Sequence, residues 1–191
     1  TGNTGGGTVS TVQQWNFDSG LQSWTQTSSA AAVVWAADAT PAAVATGLAY
    51  KSAPNSLNYN NGTSYDSGAT NTGSATSPTV ALSALTSPTL TFWCNYETET
   101  SASYDKRFFE ISTDSFKTTV LSVQLKTTGT SGGLGDCAAI GTWHQHTVTL
   151  DVTWGSAQLR FRFDSVDSYA NAYAGWFVDD VTLQAVGGVV N

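Results

Sequence analysis

The chain has 191 residues, of which 40% are hydrophobic, 12% are aromatic and only 11% are charged. This composition excludes disorder over most of the chain, because a sequence with few charges and 7 Trp residues can bury enough apolar surface to offset its conformational entropy. The formal charge of −7 argues against nucleic acid as a partner, since nucleic-acid binding depends on clustered Lys and Arg side chains.

The two ends of the chain differ in composition from the rest. Residues 1–11 begin with Gly and Thr and predict a linker, and residues 186–191 predict a short Gly/Val tail. Residues 12–185 fit one domain, since β-sandwiches commonly reach about 200–250 residues. The absence of an initiator Met indicates a part of a larger chain or assembly. No apolar run approaches the roughly 18 residues of a membrane span, so no membrane insertion is expected.

Apolar and polar residues alternate along most of the chain, and no window of eleven or more residues shows a helical period. Thr and Ser, which favour strands and turns, are abundant, whereas the residues that dominate long helices are scarce. The fold class is therefore predicted to be all-β. The predicted strands, in chain order, are Val12–Phe17, Leu21–Thr25, Val33–Ala36, Ser56–Asn60, Thr79–Leu82, Thr89–Glu97, Phe108–Thr113, Val120–Leu125, His144–Leu150, Ala157–Asp164 and Trp176–Leu183.

The strands Thr89–Glu97 and Ala157–Asp164 alternate most clearly. The first is expected to point Trp93 outward, and the second Arg160 and Arg162. Many short strands without helices between them predict a two-sheet antiparallel jelly-roll β-sandwich, because packing two sheets buries one face of each. The long irregular stretches at 60–78 and 127–142 are expected to be loops.

Several short motifs occur in an order typical of one group of domains. They are Trp15-Asn-Phe-Asp-Ser-Gly20, Leu90-Thr-Phe-Trp93, Glu110-Ile-Ser-Thr-Asp114, Arg160-Phe-Arg-Phe-Asp-Ser165 and Gly175-Trp-Phe-Val-Asp-Asp-Val181. With these motifs the chain resembles the MAM-like jelly-roll modules, which are accessory domains of large secreted bacterial proteins such as immune-inhibitor-A-type metallopeptidases. It is also similar to the cleaved-adhesin domains of gingipains. The resemblance implies a secreted, extracellular setting and a structural calcium, but no single ligand.

One position departs from that pattern. The resembling modules often have Gly after the Asp of the Ser-Thr-Asp turn, whereas this chain continues with Ser115 and Phe116. The resemblance therefore does not predict the geometry of this turn.

The two cysteines allow one intramolecular disulfide, between Cys94 and Cys137. This bridge would tie a Gly-rich loop to a strand and would indicate an oxidising compartment. A free buried thiol at Cys94 is the alternative.

Three enzyme patterns are present. Ser131 lies in a G-x-S-x-G match, but the surrounding low-complexity loop lacks the strand and helix that a nucleophile elbow requires. His144 and His146 share one face of a strand and could bind zinc together with Asp136 or Asp151, although a packed and a rim histidine are the favoured interpretation.

Glu97 and Glu110 are the candidate carboxylate pair for glycoside hydrolysis. Salt bridges to Arg160 or Arg162 account for these acids equally well, so no catalytic residue is assigned.

Acidic clusters are candidate calcium ligands, because calcium takes six to eight oxygen ligands. One loop supplies Asp164, Asp167 and Asn171. Asp179 and Asp180 lie in the last strand, where Asp179 is expected to share a face with Phe177 and Val181. In the resembling modules the first strand runs beside the last, which would bring Asp18 close. Alternatively, Asp179 accepts only backbone hydrogen bonds.

Exposed aromatic residues are candidate sugar-binding surfaces, because the C–H faces of sugars stack on aromatic rings. Trp93, Glu97, Arg160 and Arg162 are predicted to form one platform on an open sheet face. Tyr169 and Tyr173 are predicted to form a second on a loop, together with Trp154. Most tryptophans are expected in the core.

The sequence therefore predicts a non-catalytic extracellular module that binds a glycan or a cell-surface protein and contains a structural calcium. A structural spacer or fibre subunit and a jelly-roll hydrolase are the alternatives.

Overall fold

The computed structural model of the protein describes residues 7–40, 49–126, 133–137 and 139–187. Within these ranges the chain forms twelve β-strands and one short 3-10 turn, with no α-helix. The strands are β1 (Val9–Trp15), β2 (Thr25–Ser28), β3 (Val34–Asp38), β4 (Ser56–Asn60), β5 (Thr72–Thr76), β6 (Val80–Ala81), β7 (Thr89–Glu97), β8 (Lys106–Ser112), β9 (Leu121–Leu125), β10 (His144–Thr149), β11 (Ser156–Asp164) and β12 (Gly175–Val186), and the 3-10 turn is Val152–Trp154. The predicted all-β class is confirmed.

The strands form two antiparallel sheets that pack as a sandwich. Sheet A has the order β10-β7-β12-β4-β3, and β1 pairs with the C-terminal half of β12. Sheet B has the order β2-β5-β11-β8-β9, with the short β6 on one end of β11. The inner faces of both sheets enclose one hydrophobic core. The first strand does run beside the last, as the resemblance implies.

Most observed strands agree with the predicted ones to within a few residues, but β2 shares only Thr25 with the predicted strand Leu21–Thr25, and β5 lies inside a predicted loop. Its Gly73 packs against the ring of Tyr59, where any side chain would clash. Packing therefore requires a small residue here, and small residues weaken the sequence signal of a strand. The first strand also begins at Val9, inside the predicted linker. Residues 1–6 and 188–191 of the predicted linker and tail lie outside the described residues.

Phe161 of β11 lies at the centre of the core. The Trp24 ring stacks on it with 5.5 Å between ring centroids, and Trp176 meets it edge-on at 5.6 Å. Phe92 from sheet A and Phe109 from sheet B contact the same ring at 5.1 and 5.5 Å. This aromatic cluster joins the two sheets across the core.

A bulge interrupts β12 at Asp179 and Asp180. The register with β7 shifts after Asp179, and Asp180 has a positive φ of 48°. Val181 therefore points into the core, whereas Phe177 belongs to a small separate cluster on the outer side of sheet A. The expectation that Phe177 and Val181 share a face is wrong, because the bulge shifts the alternation by one residue.

Replacing Phe161 with Ala is expected to lower the unfolding free energy by about 3–5 kcal/mol, because the change removes a fully buried ring and leaves a cavity. Chemical denaturation followed by Trp fluorescence measures the difference. Tyr169→Ala, which truncates a 78% exposed side chain, is the control and is expected to change it by less than about 0.5 kcal/mol. A loss for Phe161→Ala as small as the control's would contradict the central position of Phe161.

Candidate functional site

Sheet B presents a polar outer face. Its strands β8 and β11 alternate, so the side chains opposite the core point away from it. Cross-strand pairing aligns these outward residues in two rows, which are Thr76, Arg160, Glu110 and Ser122 in the first and Ser74, Arg162, Phe108 and Gln124 in the second. We call these eight residues the polar sheet face.

Glu110 is the centre of the polar sheet face. Its Oε2 lies 2.6 Å from Nη2 of Arg160, and its Oε1 lies 3.0 Å from Nη2 of Arg162. The Ser122 hydroxyl donates to Oε1 at 3.1 Å. Burial by itself raises the pKa of Glu110. Hydrogen bonds from Arg162 and Arg160 lower the pKa by more than burial raises it, so the net pKa is below its ordinary value. Glu110 is therefore ionised near pH 7, and the salt-bridge interpretation is observed for this acid, with both arginines.

Each arginine is also packed on an aromatic ring. The guanidinium carbon of Arg160 lies 3.9 Å from the ring centroid of Phe116, and that of Arg162 lies 4.0 Å from that of Phe108. With Glu110 at one edge and a ring beneath, the two planar groups are held in fixed orientations while 21% and 27% of their side chains remain exposed. Sequence analysis did not identify Phe108 or Phe116.

Phe116 reaches Arg160 because the turn after β8 is strained. Ser115 and Phe116 both have φ near 60°, a left-handed conformation that non-glycine residues rarely adopt. Asp114 fixes the turn by accepting the backbone N–H of Thr118 at 2.9 Å and its hydroxyl at 2.7 Å. These hydrogen bonds lower the pKa of Asp114 to about 2. Ser115 thus adopts a conformation that Gly would favour, and the next residue, Phe116, places its ring on Arg160.

A shallow cleft adjoins the end of the polar sheet face. Its volume is about 190 Å³. Its lining is almost entirely polar, and consists of Thr79, Ser112, Thr113, Ser115, Ser156, Ala157 and Gln158. Because β11 continues from Gln158 to Arg160, the cleft and the arginines form one continuous surface rich in hydrogen-bonding groups.

The structure does not assemble the predicted platform of Trp93, Glu97, Arg160 and Arg162. Trp93 and Glu97 lie on β7 in sheet A, whereas both arginines lie on β11 in sheet B. All four side chains are on outer faces, but the outer faces of the two sheets point in opposite directions. The Trp93 ring is also covered by Lys51, whose Nζ lies 4.2 Å from the ring centroid.

The second predicted surface is divided. Tyr169 is highly exposed, whereas the ring of Tyr173 stacks on buried Tyr65 with 6.5 Å between centroids. Trp154 lines a separate groove with Pro88 and Leu150. Trp154 therefore lies in a groove that neither Tyr169 nor Tyr173 lines.

Asp179 is held by backbone amides. Its Oδ2 accepts hydrogen bonds from the N–H groups of Lys51 and Ser52 at 2.8 and 2.9 Å, and its Oδ1 accepts that of Asp180 at 2.8 Å. Burial raises the pKa of Asp179 to about 7 despite these bonds. The backbone-acceptor alternative is thus the one the structure favours for Asp179.

Asp18 and Asp180 both contact the segment at 49–55, which lies over the outer side of sheet A. The Ser52 hydroxyl donates to Oδ1 of Asp180 at 3.0 Å, and Asn55 Nδ2 donates to the backbone oxygen of Asp18 at 3.0 Å. Oδ2 of Asp18 accepts from Asn16, but among the described residues its buried Oδ1 has no hydrogen-bond partner. A buried carboxylate oxygen that no described residue pairs with is therefore present just after the first strand.

The acids of the predicted calcium loop bind their own backbone. Oδ1 of Asp164 accepts the N–H of Val166 at 2.9 Å, and Oδ1 of Asp167 accepts that of Tyr169 at 2.9 Å. Asn171 Nδ2 donates to the backbone oxygen of Asp167 at 3.0 Å. These are turn-stabilising contacts.

The two cysteines lie together as free, buried thiols, with the ring of His146 beside them. Nε2 of His146 is 3.3 Å from Sγ of Cys94 and 3.9 Å from Sγ of Cys137. A hydrogen bond from Cys94 lowers the pKa of Cys137, and His146 and Arg107 lower it further. The predicted disulfide stays a prediction, but the predicted neighbourhood of the two cysteines is observed.

Of the zinc ligands considered from sequence, the two histidines lie together, with 4.7 Å between their ring centroids, whereas the two acids do not join them. His146 is buried and His144 is partly exposed, but Asp151 instead caps the 3-10 turn by accepting the N–H of Thr153 at 2.8 Å. Asp136 accepts the N–H of Gly133 at 3.1 Å. Ser131, of the G-x-S-x-G match, lies outside the described residues.

Comparisons with known proteins identify the fold. No family model matches the chain, and no curated protein matches its sequence. Among solved structures, the chain is similar to TmCBM61 in complex with β-1,4-galactotriose, with a TM-score of 0.53, 16% identity, and coverage of 85% of this chain and 88% of that one.

Two further structures are similar. One is the K1 cleaved adhesin domain of Lys-gingipain from Porphyromonas gingivalis, with a TM-score of 0.51, 18% identity, and coverage of 95% of this chain and 100% of that one. The other is the enzymatically active domain of bacteriophage CBA120 tailspike protein 4, with a TM-score of 0.51 and 13% identity. The match covers 88% of this chain and 20% of that one. At these identities the similarity establishes the fold alone.

Within the described ranges, the structure contains no helix of the length and hydrophobicity needed to cross a membrane.

Glu110→Gln is expected to lower the unfolding free energy by about 2–3 kcal/mol near pH 7, because it leaves two partly buried guanidinium groups without their counterion. The pKa of Glu110 is lower in the folded than in the unfolded protein, so its ionised form stabilises the fold above the ordinary Glu pKa. That contribution is lost as the pH falls through the folded pKa. The stability difference between wild type and variant is therefore expected to shrink as the pH falls below the ordinary Glu pKa.

Urea denaturation at a series of pH values measures this difference. Glu99→Gln makes the same chemical change outside the polar sheet face and is expected to show no comparable loss near neutral pH. A Glu110→Gln deficit that is constant at every pH would show that shape, and not charge, accounts for the effect.

Proposed function

We propose that the chain is a non-catalytic module that binds a glycan through the polar sheet face, as part of a larger secreted protein. The observation that carries this proposal is the arrangement of Arg160 and Arg162, each fixed between Glu110 and an aromatic ring on an outer sheet face. The similarity in fold to a carbohydrate-binding module and to an adhesin domain supports the same class of function.

The chemistry of the polar sheet face suits sugar hydroxyls. A guanidinium group presents several N–H donors in one plane, and Thr76, Ser74 and Gln124 add hydroxyl and amide groups along the same rows. Because the donors are already held in place, little side-chain entropy is lost when a sugar binds. The adjoining cleft provides space for a further sugar unit.

A hydrolase is less well supported by the same residues. Retaining and inverting glycosidases need two carboxyl groups about 5–9.5 Å apart, one of which must carry a proton. Glu110 is kept ionised by two arginines, and Glu97 lies on the other sheet. The pair therefore does not flank a common cleft.

A structural calcium remains part of the proposal, with Asp18 and Asp180 as its carboxylate ligands. The supporting observation is the buried Oδ1 of Asp18, which has no hydrogen-bond partner in the described part of the chain. Asp18 also contacts a segment that contacts Asp180. A cation there would compensate for the buried carboxylate oxygen and would link the segment at 49–55 to both terminal strands.

The test of glycan binding is a screen of the purified protein on a glycan array, followed by calorimetry with the best ligand. Arg162→Ala is expected to weaken binding at least tenfold, because it removes a fixed set of donors while Arg160 still neutralises Glu110. Trp93→Ala changes a partly buried ring on the opposite sheet and is the matched control, with affinity expected to remain within about twofold of wild type.

Two results would contradict the proposal. Wild-type affinity in Arg162→Ala would place the ligand elsewhere, and loss of binding in Trp93→Ala alone would favour the outer side of sheet A. If no glycan binds, a structural spacer becomes the better interpretation.

Calcium is expected to raise the melting temperature of protein treated with EDTA, since an ion that binds only the folded state stabilises it by about 2.7 kcal/mol at a hundredfold excess over its dissociation constant. Magnesium is expected to raise the melting temperature less than calcium does, because its octahedral geometry suits irregular oxygen sites poorly.

Thermal unfolding of wild type and Asp180→Asn measures the effect, and the variant is expected to lose the response to calcium. Asp164→Asn, in the loop whose carboxylates bind their own backbone, is expected to keep it. Equal melting temperatures in EDTA and in calcium would exclude the site.

A further inference from the structure

Three soft or borderline metal ligands meet in the core. Cys94 comes from β7, His146 from the neighbouring strand β10, and Cys137 from the segment 133–137. That segment is fixed by backbone hydrogen bonds, because Cys137 N–H donates to the oxygen of Lys126 at 2.7 Å and Lys126 N–H donates to that of Gly135 at 2.6 Å. Cys137, the ligand that no strand carries, is thus held in place by these backbone hydrogen bonds.

The spacing of the three ligand atoms matches that of a zinc site. Sγ of Cys94, Sγ of Cys137 and Nε2 of His146 all lie within 4.8 Å of one another. Nε2 is 3.3 and 3.9 Å from the two sulfurs. Tetrahedral zinc with ordinary Zn–S and Zn–N bonds holds sulfur and nitrogen about 3.6 Å apart and two sulfurs about 3.8 Å apart. Only small movements separate this arrangement from a coordinated one.

The surroundings leave these groups without strong partners. All three residues are at most 2% exposed. The imidazole ring stacks on Phe92 with 4.9 Å between centroids, which fixes its orientation with Nε2 toward the sulfurs. Its Nδ1 has no hydrogen-bond partner among the residues that the structure describes. Thiols form only weak hydrogen bonds, so a metal ion would satisfy the buried groups far better than they satisfy one another.

The local charge also suits two thiolates. Arg107 points into the core from β8, is 3% exposed, and forms no ion pair among the described residues. Its guanidinium donates to Thr98 and to the backbone of Leu125. Two thiolates and one Zn²⁺ carry no net charge together, so metal binding would add no charge to the core while the nearby cation favours the thiolate form.

We propose that Cys94, Cys137 and His146, with both cysteines reduced, form a binding site for one Zn²⁺ ion. These three side chains supply three of the four ligands of a tetrahedral ion. Two sulfurs with one imidazole select zinc or another soft ion over calcium and magnesium. This site is independent of the polar sheet face, so it neither rests on nor supports glycan binding.

The test uses the purified protein, reduced under nitrogen and freed of metal, with Co²⁺ as the spectroscopic probe. A thiolate-to-cobalt charge-transfer band and tetrahedral d–d bands are expected to saturate at one equivalent, and Zn²⁺ is expected to bleach them. The charge-transfer band reports sulfur ligation in the wild-type protein itself, so the result does not depend on whether a variant folds.

Variants then assign the ligands. Competition with a chromophoric chelator is expected to show more than about a hundredfold loss of zinc affinity in Cys137→Ser and in His146→Gln, since even outer-shell partners of a metal contribute about 10–100-fold. Asp151→Asn, at a carboxylate occupied by the 3-10 turn, is the matched control and is expected to bind as wild type. Glycan binding is expected to be unchanged by metal removal from this site.

Absence of the charge-transfer band in reduced protein with two titratable thiols would overturn the proposal, as would an unchanged band in Cys137→Ser. Mass spectrometry of alkylated protein, without reductant, separately tests the Cys94–Cys137 disulfide, which would remove both sulfur ligands.

Discussion

The alternation of β11 is the constraint on which both the core and the polar sheet face depend. Phe161 points inward and contacts aromatic rings from both sheets, while its neighbours Arg160 and Arg162 point outward. A side chain on a strand changes sides only if the whole register moves. The aromatic cluster therefore fixes the position of both guanidinium groups, and the candidate ligand surface lies on the rigid part of the molecule and not on its loops.

The bulge in β12 is the exception to this alternation, and it explains why the two outer faces differ. Asp179 projects from the outer side of sheet A and binds the backbone of Lys51 and Ser52. This anchors the segment at 49–55 over that face and brings Lys51 onto Trp93. Lys51 thus covers the aromatic ring that the outer face of sheet A would offer, whereas Arg160 and Arg162 on the outer face of sheet B are partly exposed.

Sequence alone predicted the features that depend on local alternation. The bounds of β4 and β7 and the outward direction of Trp93, Arg160 and Arg162 are as expected, because a period of two is visible within one strand. It did not predict which strands share a sheet, since that depends on pairing between distant segments. Trp93 and the arginines were therefore placed on one platform although they lie on opposite sides of the sandwich.

The cluster of Cys94, Cys137 and His146 was missed for the same reason. The cysteines were considered as a disulfide and the histidines as a zinc pair, because spacing along the chain relates each set only to itself. Antiparallel pairing of β7 with β10 places Cys94 opposite His144 and Phe92 opposite His146, which brings the two sets together. A register between distant strands is fixed by packing and carries no local signal in the sequence.

Strand β8 connects the two sites that the structure suggests. Arg107 points inward, toward the thiols, whereas Phe108 and Glu110 point outward and hold the arginines of the polar sheet face. Neighbouring residues of one strand thus contribute to two sites of different chemistry, one with exposed oxygen and nitrogen donors and the other with buried sulfur. Because the sheet itself separates them, substitutions on the outer face leave the buried ligands in place. The same alternation that builds the sandwich keeps its two candidate sites independent.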